Sequence, residues 1–428
     1  MTASRRALGI VFLTVMIDLL GFGIVMPILV RYGKALEAGP AILGLLLSSF
    51  SAMQFLFAPI WGRVSDRVGR RPILILGLAG SVVFYALFGY ASSIANLTLL
   101  FVSRIGAGIA GATISTAQAY IADVTPPERR TAGMALIGAA FGIGFTLGPI
   151  LGASALLLEP GTVVELPVTE DQVLVESELP QPQADATASS MSPWPGYAAA
   201  GLSGLALVLA IFVLPESLPK GGRTSEHHWF DQRHLRRALQ LPGMGALLLI
   251  FAMTTFAFAQ FESTLPLLTL DAFGLDDQSN FYLFAYVGLI LTICQGGIVR
   301  RMSKTMASQR IATTGASTLL AGMFGVVLAG ATGSLWFFVV ATLPIIAGFA
   351  MLTSSIPAMV SLRANSAEHG GILGVNQSGS AIARILGPFC GIILMDQSRS
   401  LPYWLAAGMM LLSIALLVRQ PKDDASPE

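Results

Sequence analysis

The chain has 428 residues, of which 54% are hydrophobic and only 11% are charged, and its formal net charge is +1. Soluble domains usually carry about 25% charged residues, so this chain has too little polar surface to form a globule in water. With so small a net charge, nothing suggests a nucleic-acid partner. Repeated apolar runs of about 20 residues, the length of helix that crosses a bilayer, predict a polytopic α-helical membrane protein.

The first apolar run, residues 7–30, follows Arg5 and Arg6, which is also how a secretory signal begins. The run is longer than the apolar core of a signal and has no small-residue cleavage site, so we interpret it as a retained span. Hydropathy predicts twelve spans in all, near residues 7–30, 41–61, 72–91, 94–117, 131–157, 196–214, 242–268, 279–299, 311–331, 334–357, 371–394 and 401–418.

The basic residues orient these spans. An even number of spans places both termini on one side, and positive loops remain in the cytoplasm. The termini and alternate loops contain 20 of the 25 basic residues, whereas the other loops contain only Arg31, Lys34 and Arg399. We therefore predict that both termini are cytoplasmic.

The longest basic connection, residues 215–241, follows the sixth span. It divides the chain into an N-terminal half, residues 1–214, and a C-terminal half, residues 242–428. Some transporters consist of two such repeats, which rock around a site near the middle of the membrane. The predicted fold is all-α and membrane-integral, with two pseudo-symmetric six-helix bundles.

A charged motif lies between the second and third spans, in the segment APIWGRVSDRVGRRPILIL. Its residues are Gly62, Asp66, Arg67, Gly69, Arg70 and Arg71. The glycines permit a tight turn, and Asp66 is placed to meet a helix N-terminus or an arginine of a neighbouring helix. A positive-inside anchor would explain the arginines but not the aspartate and the paired glycines.

This motif resembles the signature of the major facilitator superfamily. DLLGFGIVMPIL in the first span resembles a motif of its twelve-helix drug–proton antiporters (the tetracycline-efflux branch), and LLFVSRIGAGIAGA resembles its fourth-helix arginine motif around Arg104. The resemblance covers nearly the whole chain. It implies the major facilitator fold and a monomeric, multi-pass secondary transporter of a bacterial inner membrane or a derived intracellular membrane.

The resemblance also implies roles for two motifs. The six residues of the charged motif would form a breakable cytoplasmic latch between the halves; the second-half counterpart has Arg301 where the aspartate would fall, so we expect an asymmetric latch. GIGFTLGPILGA resembles the fifth-helix motif of antiporters. Its residues Gly144, Gly148, Pro149 and Gly152 suit either close helix packing or control of proton leakage.

Four charged residues lie within predicted spans: Asp18, Arg104, Glu262 and Arg384. A charge at the bilayer centre costs about 2.5–3.5 kcal/mol on insertion scales. The four residues either form ion bridges that fix helix packing or line a cavity for proton coupling and substrate. Asp18, near the middle of the first span, is the preferred proton carrier. The arginines suit ion pairing or an anionic part of a substrate, and which acid faces which arginine is left open.

Other familiar patterns lack the context that their chemistry needs. GAGIAG (106–111) matches a dinucleotide fingerprint but lies within a span and follows no strand. Cys294 and Cys390 fall in apolar runs and are interpreted as packing residues. His227, His228 and His234 lie in the charged linker. We therefore expect no cofactor, no metal site and no enzymatic activity.

An insert at residues 156–195 contains seven acids and no basic residue. It is either a solvated loop, in which the alternating segments could form a small hairpin, or an attractant for hard cations. With the chain length, it makes the chain similar to the facilitator-type proteins of magnetosome membranes, which are thought to carry iron.

The preferred function is proton-coupled antiport or export of a small amphipathic solute or drug. Phe22, Phe256 and Phe258 are candidate cavity residues, and their aromatic rings favour an amphipathic organic solute. The partners would be that solute or ion, protons and the lipid bilayer. The alternatives are a metal-ion transporter, with iron as the cargo, and a non-transporting receptor or scaffold on the same fold.

Overall fold

The computed structural model describes residues 2–125, 130–158, 191–217, 241–363 and 369–420. Within these ranges all regular secondary structure is helical. The helices are α1 (Thr2–Ala35), α2 (Pro40–Val68), α3 (Arg70–Ser93), α4 (Leu97–Gly111), α5 (Ile114–Val124), α6 (Arg130–Leu156), α7 (Trp194–Val213), α8 (Met244–Phe273), α9 (Asp277–Ile293), α10 (Ser308–Thr332), α11 (Leu335–Arg363), α12 (His369–Gln397) and α13 (Leu401–Val418). After Ile293, α9 continues as a π-helix (Cys294–Val299) and a last α-helical turn (Arg300–Met302). We call α1–α7 the first half and α8–α13 the second half.

Eleven segments of the described chain are long and apolar enough to cross a membrane, and Gly142–Leu156 of α6 is a shorter apolar helix. Short connections join α1 to α2, α2 to α3 and α3 to α4, so these neighbouring helices are antiparallel. The connection between α2 and α3 is Gly69 alone, whose φ of 115° favours glycine. We call the side of the molecule with Gly69 the basic face, and the side with the connection between α1 and α2, residues 36–39, the opposite face.

Several observed helices extend beyond the predicted spans; α2, for example, continues to Val68, whereas its predicted span ends at residue 61. The first span continues to Ala35, so Arg31 and Lys34 lie on α1 rather than in a loop. The fourth span is interrupted, because α4 ends at Gly111 and α5 begins at Ile114. Residues 159–190 and 218–240 lie outside the described residues. The predicted hairpin and most of the predicted linker therefore stay predictions, as does the division at residues 214 and 242.

The two halves pack against each other through α2 with α12 and α6 with α9. Ser48 Oγ donates a hydrogen bond of 2.6 Å to the carbonyl oxygen of Ile385. A Cβ on Gly44 would lie 2.9 Å from Phe389 Cα, so these backbones are in direct contact. Between α6 and α9, the Phe281 ring packs on Gly152. Small residues allow this approach, as is usual between membrane helices.

Candidate functional site

Asp18 lies near the middle of α1 and is half-buried. Its Oδ1 accepts a hydrogen bond of 3.2 Å from Ser203 Oγ of α7. The side chain of Ser81, on α3, hydrogen-bonds to it as well. These partners belong to the first half, and both are hydroxyl groups rather than cations. The carboxyl therefore lies among hydrogen-bonding groups that suit either of its protonation states.

Arg104 of α4 is enclosed by aromatic rings and is 1% exposed. Its guanidinium carbon lies 4.4 Å from the centroid of Phe50 and 5.9 Å from that of Phe22. Such cation–π contacts offset part of the cost of burying the charge. Its Nε and Nη1 atoms have no hydrogen-bond partner among the described residues. Arg104 therefore has donors free for an anionic group.

Tyr85 of α3 connects these two charged residues electrostatically. It is 3% exposed and interacts with both Asp18 and Arg104. Gly21 gives its ring room, since a Cβ there would lie 3.2 Å from Tyr85 Cε2. Sequence reasoning missed Tyr85, although a tyrosine within a predicted span is itself a polar signal.

Glu262 and Arg384 are the corresponding pair of the second half. Glu262 lies on α8 and Arg384 on α12, and they attract each other electrostatically. Their separation exceeds the 4.0 Å of an ion pair. Glu262 is half-buried and Arg384 is exposed. The second half thus associates its acid with its own arginine, whereas in the first half Asp18 and Arg104 each interact with Tyr85.

Two of the predicted aromatic residues connect neighbouring helices. Phe22 packs against Phe50 and Phe145, with centroid distances of 5.0 and 5.8 Å, and so joins α1 to α2 and α6. Phe258 of α8 stacks on Phe349 of α11 at 3.8 Å. The third, Phe256, is half-buried on α8. The Phe22 cluster also contains the rings that enclose Arg104, so an aromatic surface and a free cationic donor lie together.

Gln260 and Asn376 are buried polar residues that sequence reasoning missed. They are 1% and 2% exposed, and neither amide has a hydrogen-bond partner among the described residues. Gln260 lies on α8, two residues before Glu262, and packs on Gly391 of α12. An uncharged amide in an apolar run is a weaker signal than a charge, so the sequence pattern did not single out Gln260 or Asn376.

The charged motif at the basic face forms a polar cluster around Arg70. Asp66 forms an ion pair with Arg70, and Arg70 Nε lies 3.3 Å from Asp123 Oδ2 at the end of α5. Glu216 accepts hydrogen bonds from the backbone N–H groups of Arg70, at 2.9 Å, and Arg71, at 3.2 Å. The carboxylate at the N-terminus of α3 is thus Glu216, whereas Asp66 takes the arginine.

Two further motif residues, Gly62 and Arg67, lie on the last turns of α2. Gly62 accepts a hydrogen bond of 2.7 Å from Ser65 Oγ, and Arg67 is exposed. The contacts described for the motif are all made within the first half. The expected latch with the second half therefore stays a prediction.

At the opposite face, ion pairs join the two halves. Arg31 Nη1 lies 2.8 Å from Asp277 Oδ1 of α9. Lys34 Nζ lies 2.6 Å from Asp271 Oδ1 of α8. Sequence reasoning missed both pairs, although Arg31 and Lys34 stood out as basic residues on the side where such residues are rare.

The glycine motif of α6 lies against two helices. A Cβ on Gly148 would lie 2.8 Å from Gly23 Cα, and a Cβ on Gly144 would lie 2.9 Å from Leu19 Cβ. Gly152 faces α9 instead, and Pro149 between them is buried. The motif therefore sits where α1, α6 and α9 pack closely, while its role in proton leakage stays a prediction.

Metal ligands do not cluster in the described ranges: no group of three or more His, Cys, Asp or Glu side chains there could hold an ion. His227, His228 and His234, together with most of the acidic insert, lie outside those ranges.

A family model for the Major Facilitator Superfamily matches residues 11–388. The chain belongs to the major facilitator superfamily. It is therefore an integral, multi-pass membrane protein of a transporter family and not an enzyme, and the predicted fold class is confirmed.

Relatives and solved structures of the superfamily span almost the entire chain. Major facilitator superfamily domain-containing protein 10 of Mus musculus is 29% identical, over 96% of this chain and 90% of the relative. The class E tetracycline resistance protein of Escherichia coli is 28% identical, over 92% and 89%. The crystal structure of the human organic anion transporter MFSD10 (TETRAN) is 24% identical and covers 97% of this chain and 99% of that one, with a TM-score of 0.66.

Proposed function

We propose that this major facilitator protein is a proton-coupled antiporter that exports a small amphipathic solute by alternating access, with its basic face in the cytoplasm. The observation that carries the proposal is the environment of Asp18. An ionised carboxylate at the middle of a span is costly. A carboxylate that served only helix packing would be expected to pair with a cation. Asp18 instead has the hydroxyls of Ser81 and Ser203, which accept from a protonated carboxyl and donate to an ionised one.

The solute class follows from the surroundings of Arg104. Its free Nε and Nη1 donors lie beside the rings of Phe22 and Phe50, a combination that suits a molecule with an apolar body and an anionic group. The similar human protein is named as an organic anion transporter, and the similar bacterial proteins as tetracycline resistance proteins. Both names agree with an amphipathic organic cargo.

The alternatives have less support. None of the relatives reported above is named as an iron carrier. The described residues contain no metal-ligand cluster. A receptor or scaffold on this fold would have no need of Asp18 as a titrating group. A solute-induced pH change inside proteoliposomes would separate a transporter from a receptor, since only coupled transport moves protons.

The test is Asp18→Asn in proteoliposomes with an imposed pH gradient. We expect uphill transport to be lost and solute counterflow, which needs no net proton movement, to remain. Glu37→Gln is the matched control, because Glu37 is an exposed acid at the end of the first span. Full proton-driven transport by Asp18→Asn would reject the assignment.

A further inference from the structure

A small cavity lies beside Asp18. Its volume is about 30 Å³, and a cavity needs roughly 10–15 Å³ of such volume to hold one water molecule. It lies between α1, α3 and the interruption of the fourth span. The residues that line it are Thr14, Val15, Asp18, Leu19, Leu74, Leu78, Thr113, Ile114 and Ala117.

Two hydroxyl groups in this cavity are available to a ligand. Thr14 is 3% exposed, and its Oγ1 has no hydrogen-bond partner among the described residues. It precedes Asp18 by four residues, so the two side chains share a helix face. Thr113 immediately precedes α5, but its side chain makes no capping hydrogen bond. The cavity thus offers a carboxyl and two hydroxyls, which satisfies the two to four polar partners that a buried water needs.

The interruption of the fourth span makes this cavity possible. Thr113 lies in the break between α4 and α5 and packs against Gly77 of α3. A Cβ on Gly77 would lie 2.6 Å from Thr113 Cγ2, so any larger residue there would push Thr113 toward the cavity. The packing of α1, α3 and the break between α4 and α5 therefore keeps the cavity beside Asp18 open.

The cavity extends from Asp18 toward the basic face. Leu74 lies four residues from Arg70, a rise of about 6 Å along α3, so the cavity ends about one helical turn from the Arg70 cluster. Leu74 and Leu78 belong to a cluster with Val11, Tyr120 and Ile121, which are fully buried, and the Tyr120 hydroxyl donates a hydrogen bond of 2.9 Å to the carbonyl oxygen of Pro215. The Phe22 ring, by contrast, packs with Phe50 and Phe145.

We propose that this cavity is a water-binding site that links the Asp18 carboxyl to the basic face, apart from the aromatic surface at Arg104. The bound water bridges Thr14 Oγ1 and the carboxyl. When Asp18 releases its proton, the carboxyl O–H bond breaks and the water takes the proton, which then passes to bulk water. The packed cluster around Tyr120 opens for this step and otherwise closes the route. The proton role rests on the function proposed above, whereas the water site does not.

The test compares Thr14→Val, which keeps the shape but removes the hydroxyl, with Thr14→Ser, which keeps the hydroxyl. Hydroxyl-radical labelling by X-ray radiolysis of the reconstituted full chain modifies side chains next to bound water. We expect Leu78 to be labelled in the wild type and in Thr14→Ser, and several-fold less in Thr14→Val. Proton-driven transport should fall about fivefold in Thr14→Val, the factor that one net hydrogen bond represents, while counterflow is unchanged.

Gly77→Ala is a second variant, because it narrows the cavity by displacing Thr113 and leaves the side chains of Thr14 and Asp18 unaltered. It should reduce Leu78 labelling and proton-driven transport together. Equal labelling of Leu78 in the wild type and both variants overturns the water site. Reduced labelling with unchanged proton-driven transport overturns the route. If Asp18→Asn retains uphill transport, the proposed function fails, yet the labelling still decides whether water is bound.

Discussion

Arg31 Nη1 and Asp277 Oδ1 lie 2.8 Å apart and connect α1 of the first half to α9 of the second. Three residues further along α1, Lys34 makes the same kind of connection to Asp271. The side chain of Asn280 adds a hydrogen bond of 2.9 Å to the carbonyl oxygen of Pro27. These contacts hold the ends of the halves together at the opposite face. In alternating access they have to break whenever that face opens.

Asp277→Asn is expected to shift the population toward states that are separated at the opposite face. Removing one partner of a fully buried pair costs about 3–5 kcal/mol, but Asp277 is 39% exposed. We therefore expect about 1–2 kcal/mol, a shift of roughly 5–30-fold in the equilibrium. Spin labels at Ala41 and Ser398, placed after the two native cysteines are replaced, would report the longer distances by double electron–electron resonance.

The charge-swapped double variant Arg31→Asp with Asp277→Arg is the control for that experiment. It should restore most of the short-distance population, because it rebuilds the pair with reversed polarity. A distance distribution that does not change in Asp277→Asn would show that this ion pair has no part in closing the face.

Glu216→Ala is expected to destabilise the start of α3. The carboxylate meets two free N–H groups at a helix N-terminus, where a negative charge is favourable, and substitutions of such capping groups cost about 1 kcal/mol. Thermal unfolding in detergent would show a lower midpoint. Glu37→Gln, which alters an exposed acid at the opposite face, should leave the midpoint unchanged. Equal midpoints for both variants would argue against a capping role for Glu216.

The sequence was sufficient for features that depend on local composition. Runs of apolar residues located the spans, and the family motifs located Asp66, Arg70 and Gly148. Asp18, Arg104, Glu262 and Arg384 stood out because a charge within a span is costly wherever it points.

Features that depend on contacts between distant residues could not be predicted in this way. The break between α4 and α5 falls in GAGIAGATIST, which contains small and apolar residues but neither proline nor charge. Glu216 caps α3 from 146 residues away along the chain, and no local pattern marks it. Thr14 is one hydroxyl among many, and only the cavity beside Asp18 distinguishes it.

Gly148→Val is expected to separate α6 from α1. A Cβ on Gly148 would lie 2.8 Å from Gly23 Cα, where the contacted atom is backbone and cannot move aside by changing a rotamer. Overpacking of this kind typically costs about 1–3 kcal/mol. Thermal unfolding should show the loss, and proton-driven transport should fall as well because α1 carries Asp18. Gly201→Ala is the matched control, since nothing lies within 4 Å of its added Cβ. Equal stability of the two variants would mean that the backbones separate without cost.

Arg104→Gln tests whether the enclosed guanidinium recognises an anionic group. Hydrogen bonds to a charged partner contribute about 1.5–3 kcal/mol, so binding of an amphipathic carboxylate should weaken by about 10–100-fold. The corresponding primary amide, which has no charge, should bind almost equally to the wild type and the variant. Tryptophan fluorescence or isothermal titration on the purified full chain would measure both ligands. Arg399→Gln, at an exposed position of the opposite face, controls for a general loss of positive charge. If the carboxylate and the amide lose affinity to the same extent in Arg104→Gln, the arginine stabilises the aromatic surface by its packing on Phe50 and does not select for charge.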